Sequence, residues 1–280
     1  MRAAANVRGY GQRPGRSSTA KNRVRKKINP CRLSNALRMV FDTAALRQSL
    51  GFLLFRQSRP GEYFFAMAVP FAHAVAPIIL EGKAVRLEPL SSSHLNALCD
   101  VGLDPELWRW TLDIIDTRAG MQAYLEEALA GQIAGTAQPF VIMEKAASKI
   151  VGSTRFGNVD AKHRRVEIGW TWIARPWQRT VVNTEAKYLL LRHAFETWRC
   201  LRVELKTDAL NEQSRKAIQR LGAIEEGILR QHMITANGRI RDTVYYSVLA
   251  PEWPQVKKKL EWKLQAQQIP TGAPGLSGSP

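Results

Sequence analysis

From Gly82 onward the apolar positions fall into short, regular runs. Ala84–Pro89 alternates as a strand does, Ser91–Val101 reads as a helix opened by a serine cap, and Thr117–Ile133 as a longer helix. Gln138–Glu144, Ile150–Asn158 and Arg165–Ile173 are β-branched and aromatic runs separated by turn-forming residues, which predicts an antiparallel meander. A helix follows, with Thr184 as its cap, Glu185 where the helix dipole favours an anion, and Ala186, Leu189, Leu190, His193, Ala194 and Trp198 on one face. Next come a strand, Arg202–Thr207, and a second helix, Asn211–Leu221, closing on Gly222. Strands Gly227–Ile234 and Arg239–Leu249 flank the hairpin signal Asn237-Gly238, and Pro251–Leu264 reads as a last helix. No internal repeat is visible, so this order predicts one α+β domain.

The ends of the chain read differently. Residues 1–30 are rich in Arg, Lys, Gly, Ser and Asn and offer too little apolar surface to offset the entropy of ordering. Leu33, Leu37, Val40, Phe41 and Ala44 recur at helical spacing with Arg38 and Arg47 between them, the pattern of a short amphipathic helix or of a solvated arm. Residues 1–66 form a basic, largely disordered extension, 67–264 the folded domain and 265–280 a disordered tail. Met67 opens a segment that runs into the first good strand, which makes it the expected native start.

Charge sharpens this division. The chain carries a net charge of +17, and residues 1–66 hold 14 Lys/Arg against only Asp42 and Glu62, so the folded part is only mildly basic. A basic arm of this kind suits a nucleic-acid or ribosome contact, since Lys and Arg release counterions from phosphate. The apolar stretch from Tyr63 to Leu80 is broken by Pro70 and Pro77, which argues against a membrane-spanning helix. Cys31, Cys99 and Cys200 are odd in number and lack metal-ligand spacing, so neither a disulfide framework nor a metal site is expected.

The chemistry centres on the strand Arg165–Ile173, the loop 174–182 and the helix after it. A helix N-terminus reached by a short loop from a strand offers unpaired N–H groups to a pyrophosphate, and Arg175, Gln178 and Arg179 are possible side-chain donors. Glu167-Ile168-Gly169-Trp170, then Arg175-Pro176-Trp177-Gln178-Arg179-Thr180, then Asn183-Thr184-Glu185-Ala186-Lys187 resembles the acetyl-CoA segment of GNAT N-acetyltransferases of the RimJ/RimL type, the ribosomal-protein alanine N-acetyltransferases. The resemblance continues through Thr207-Asp208, Asn211-Glu212-Gln213-Ser214, Arg220-Leu221-Gly222-Ala223 and Arg241-Asp242, covering nearly all of 78–263. It departs from the family where Val181 and Asn183 stand at two positions usually held by small residues, which bears on how closely the backbone approaches phosphate.

What the resemblance implies is a central mixed, mostly antiparallel sheet flanked by helices, acetyl-CoA as cosubstrate, no metal, and direct attack of an amine on the thioester in a ternary complex. Glu167 is then the base for the amine, or the partner of a cross-strand cation. Ser214, with Tyr246 as the alternative, protonates the departing thiolate, and Asn211 holds the pantetheine, caps its helix, or does both. Trp172 or Ile173 supplies a backbone N–H to the oxyanion. Gln178, Arg179, Thr180, Asn183 and Thr184 bind the pyrophosphate. Trp108, Trp110, Trp170, Trp172 and Tyr124 line an acceptor groove or fill the core, and Asp104, Glu106, Asp113 and Asp116 attract a cationic acceptor or remain a solvated acidic surface. The acceptor is a protein N-terminus or a small amine such as a polyamine, amino sugar or antibiotic; the rival is a domain that binds acyl-CoA without transfer. The need for acetyl-CoA implies a cytoplasmic protein.

Overall fold

The computed structural model describes residues 75–266; the basic extension, its amphipathic segment and the expected start at Met67 lie outside the described residues. Eight strands form one sheet: β1 (Leu80–Glu81), β2 (Val85–Pro89), β3 (Gln138–Glu144), β4 (Lys149–Asp160), β5 (Arg165–Ile173), β6 (Arg202–Asp208), β7 (Ile224–Ile234) and β8 (Ile240–Leu249). Their spatial order is β1-β2-β3-β4-β5-β6-β8-β7. Every neighbouring pair is antiparallel except β5 and β6, which the intervening helix forces to run the same way. The helices are α1 (Leu95–Gly102), α2 (Arg118–Ile133), α3 (Val181–Arg192), α4 (Glu212–Leu221) and α5 (Trp253–Ala266).

Two apolar layers sandwich the sheet. On one face Val85, Phe140, Phe156, Ile168, Val203 and Val244 pack under Leu189, Leu190 and Leu191 of α3 and Leu260 of α5. On the other face α1 and α2 bring Leu98, Met121 and Leu125 onto Val141 and Trp172. No helix among the described residues is long and apolar enough to cross a membrane.

Local signals explain the boundaries. Thr117 caps α2, accepting the Gly120 N–H at 3.1 Å, and Asn211 caps α4, its Oδ1 accepting the Ser214 N–H at 3.0 Å. Gly222 ends α4 at φ 102°, a left-handed conformation that a glycine adopts without steric cost. The expected start of α3 is corrected: the helix begins four residues earlier than a Thr184 cap would allow, because the Thr180 hydroxyl accepts the Val182 N–H at 3.3 Å. Asn183 and Thr184 therefore stand inside the first turn.

Glu185 joins α3 to the start of the sheet. Its buried carboxylate accepts the N–H groups of Lys83, Ala84 and Val85 at 2.9, 2.7 and 2.7 Å, so one side chain satisfies the whole β1–β2 turn. Removing that acceptor strands three donors, of which the buried one at Val85 is worth about 1–3 kcal/mol and the two part-buried ones less. Glu185→Ala is expected to lower unfolding stability by about 3 kcal/mol or more in urea titration; a loss under about 0.5 kcal/mol would mean that water replaces the carboxylate.

Candidate active site

β5 and β6 pair over only three residues, Arg165, Val166 and Glu167 against Arg202, Val203 and Glu204. Beyond them β6 bonds only to β8 and β5 only to β4, so the two parallel strands diverge and leave a wedge in the sheet. Register decides which groups face it. Ala174 donates its N–H to the Val151 carbonyl at 2.8 Å, and Trp172 stands opposite Ser153, so both point to β4. Alternation then turns Ile173, rather than Trp172, toward the opening, where its carbonyl accepts Gln178 Nε2 at 2.9 Å.

The mouth of the wedge is the N-terminus of α3, whose first N–H groups have no intrahelical acceptor. Arg179, two residues before the helix, has φ +61°, the backbone state a glycine takes most easily. The side chains expected to reach a pyrophosphate are partly engaged elsewhere. Gln178 bridges the end of β5 to Gln213 on α4 at 3.2 Å, Arg175 pairs with Asp104, and Thr180 donates to the Trp177 carbonyl at 2.7 Å. Val181, Asn183 and Thr184 are half-buried along the first turn.

Glu167 lies at the apex of the wedge and is 3% exposed. Its Oε2 accepts Asn158 Nδ2 at 2.7 Å and pairs with Lys206 Nζ at 2.9 Å, so the cross-strand cation is present. The same carboxylate borders an open 740 Å³ cavity shared with Asn158, Asp160, Arg165, Glu204 and Tyr245. Being both paired and beside this opening, Glu167 combines a structural bond with access to a small ligand or water. Ser214 stands half-buried on the first turn of α4, and its hydroxyl has no partner among the described residues. The Tyr246 hydroxyl is otherwise occupied: it donates to Glu225 at 2.9 Å and accepts from Arg215 at 3.2 Å, while burial raises its pKa. Glu167 and Ile173 thus stand at the closed end and the open end of the same wedge, six residues apart along β5, with Ser214 on α4, while Tyr246 is tied to α4 and β7.

The five aromatic candidates divide. Trp108, Tyr124 and Trp172 are core residues, whereas Trp170 is 37% exposed and Trp110 is half-buried. Trp170 stands in a bulge of β5 at φ +49°, and one edge of its ring lies against Gly157, where any Cβ would collide with it. Arg155 and Lys206 flank that indole at 4.9 and 5.9 Å. Sequence reading missed Arg155, a 3% exposed arginine inside a strand, although its place in an apolar run marked it as unusual.

A roof crosses the same face of the sheet. The Ala236 N–H of the β7–β8 hairpin donates to the Leu112 carbonyl at 2.7 Å, and Arg239 lies over the Trp110 ring at 5.6 Å. Beneath them is a 250 Å³ cavity lined by Trp108, Thr111, Leu112, Thr235, Ala236 and Asn237. Of the four acids in the α1–α2 connection, Asp104 anchors this roof to the β5–α3 loop through Arg175.

A parallel pair that splits, with a helix N-terminus at the mouth of the split, agrees with a family match: the model of the acetyltransferase (GNAT) domain covers residues 84–224. The chain belongs to the GNAT acetyltransferase family. It is 36% identical over 104 residues to a Bacillus subtilis protein named "Putative ribosomal N-acetyltransferase YdaF", a match covering 37% of this chain and 56% of that one. An acetyltransferase structure from T. thermophilus is 38% identical with a TM-score of 0.62, covering 68% of this chain and 98% of that one. The likeness to Mycobacterium smegmatis RimJ in complex with CoA-disulfide, at 23% identity and TM-score 0.60 over 69% of this chain and 97% of that one, is one of fold. The GNAT domain here is thus an acyltransferase with a mixed, mostly antiparallel sheet flanked by helices.

The left-handed turn at Arg179 carries a cost of about 1–2 kcal/mol for a residue with a Cβ. Arg179→Gly is expected to raise stability by about 1 kcal/mol in thermal or urea melts, part of the strain relief being lost to the freer unfolded chain. A drop in stability would mean that the arginine side chain makes a contact of larger value.

Proposed function

We propose that this chain transfers the acetyl group of acetyl-CoA to a primary amine, with a protein N-terminus as the acceptor, by direct attack in a ternary complex. The observation that carries this reading is the wedge between β5 and β6. A pantetheine arm inserted there meets the edge of β5 as an added strand would, and the Ile173 N–H is free of β4. The pyrophosphate fits at the α3 N-terminus, on backbone N–H groups of this turn other than the capped one of Val182, with Thr180 and Thr184 beside them. The Val181 side chain narrows this approach without removing the N–H groups. Acetyl-CoA supplies the activated acyl group, and a cytoplasmic site of action follows from that demand.

The residues then divide the work. Glu167, paired with Lys206 and Asn158, accepts a proton from the acceptor ammonium through a water in the adjoining cavity. Backbone N–H groups on the open edge of β5 stabilise the charge that develops on the carbonyl oxygen. Ser214 donates toward the leaving sulfur, and the Asn211 amide nitrogen, whose oxygen caps α4, donates to the arm beside it. The acceptor enters on the face carrying Trp170 and Tyr245, under the roof tied by Leu112 and Ala236, a passage suited to the slender end of a chain. A relative whose name calls it a ribosomal N-acetyltransferase supports the choice of acceptor.

Calorimetric titration with acetyl-CoA, followed by transfer assays on N-terminal peptides, polyamines and amino sugars, tests this reading. Saturable binding and turnover on peptides are expected; turnover confined to small amines would reassign the acceptor, and binding without turnover on any amine would leave a binding module. Glu167→Gln is expected to lower kcat about 100-fold with the acetyl-CoA Kd unchanged. Val181→Gly is expected to tighten acetyl-CoA by up to about tenfold by opening the phosphate approach; unchanged affinity would mean that the isopropyl group points away from the ligand.

A further inference from the structure

Lys187 lies on the second turn of α3 and is buried between that helix and the sheet. Its Nζ donates to Thr154 Oγ1 of β4 at 3.3 Å and to Thr171 Oγ1 of β5, two hydroxyls 2.8 Å apart. Among the described residues no carboxylate pairs with it. Glu185, two residues earlier, is turned to the β1–β2 turn, and Glu167 is bound to Asn158 and Lys206. Burial alone pushes the ammonium down to about 7. An ammonium buried on two hydroxyls costs stability, and a well-packed apolar side chain in its place is usually neutral or stabilising. The lysine is therefore poorly explained by packing.

What it touches suggests a role. Opposite the single residue Thr154, β5 places two, Trp170 and Thr171, one more than regular pairing allows, the first at φ +49°. The Thr171 hydroxyl also donates to the Gly169 carbonyl at 3.2 Å, so one side chain closes the bulge and receives the lysine. Two residues along the strand from Ile173, Thr171 turns its N–H toward the same open edge.

We propose that Lys187 is a positioning residue for acyl transfer, whose Nζ, donating to the Thr154 and Thr171 hydroxyls, fixes the β5 bulge so that the Thr171 N–H stays aimed into the wedge as a donor to the developing oxyanion. The inference rests on the acyl-transfer reading of that wedge. It assigns the lysine a function that sets kcat rather than cosubstrate affinity, because the donor is needed most when charge develops on the oxygen.

The test is Lys187→Met in the full chain, with Thr171→Val and Thr171→Ser beside it. Between about 7 and the ordinary lysine value of 10.5 the unfolded state binds a proton that the folded state does not, so wild-type stability rises with pH across that window. The methionine variant lacks this slope. It should melt at or above the wild-type temperature at pH 6, and its advantage should shrink as the pH rises toward 10. Its kcat should fall about 100-fold, as expected when a reacting geometry loosens, with the KM for acetyl-CoA within about twofold of wild type. Its Thr171 amide resonance should move. Thr171→Val should copy the loss in kcat and Thr171→Ser should restore it. Wild-type kcat in Lys187→Met, or, if that variant melts early, wild-type kcat in Thr171→Val, would overturn the proposal. A wild-type chain that acetylates no amine, while Lys187→Met still raises the melting temperature and moves the Thr171 amide, would sink the transfer reading and leave the lysine's hold on the bulge standing.

Discussion

The parting of β5 from β6 is the constraint on which the rest of this structure depends. A sheet normally satisfies its backbone groups by continuous pairing, and an unpaired inner edge is costly unless something fills it. Here the parallel pair lasts three residues, after which each strand keeps only its outer neighbour. Other features hold that gap in shape. Gln178 ties the end of β5 to α4, Glu185 locks α3 against the β1–β2 turn, and the Lys206–Glu167 pair bridges the two strands at the apex.

The two faces of the gap have different chemistry. Toward α3 and α5 it is lined by the apolar core, interrupted by Lys187 and its two threonines. Toward the roof it is polar and cationic, with Arg155 and Lys206 on the Trp170 ring and Arg239 against Trp110. Arg155 is buried with Nε and Nη2 unpartnered among the described residues, and Trp170 and Arg179 both occupy left-handed backbone states. Unfavourable local choices beside an opening, as at Arg155, Trp170 and Arg179, fit a functional site in an otherwise consistent fold.

Much of this was legible in the sequence, for identifiable reasons. Alternation and caps gave the order of strands and helices, because Thr117, Asn211 and Gly222 carry local signals that tertiary contacts did not override. The start of α3 was misread since Val181 and Val182, β-branched residues, resemble a loop leading to Thr184, while the effective cap was Thr180. The family resemblance pointed to the wedge, but which backbone groups face it depends on the register of β5 against β4, where the bulge at Trp170 breaks the alternation. Lys187 belongs to the motif that carries the resemblance, but its burial was not legible because a lysine is ordinarily a surface residue, although it stands three and four residues before Leu190 and Leu191 on the buried stripe.

The most direct test of this account is amide hydrogen exchange of Thr171, Trp172, Ile173 and Ala174 with and without saturating acetyl-CoA. If the wedge receives the pantetheine arm as an added strand, Thr171 and Ile173 slow strongly on binding, while Trp172 and Ala174, already bonded to β4, change little. Unchanged exchange at Thr171 and Ile173 in a saturated complex would contradict it, because the cosubstrate would then lie somewhere other than the open edge of β5.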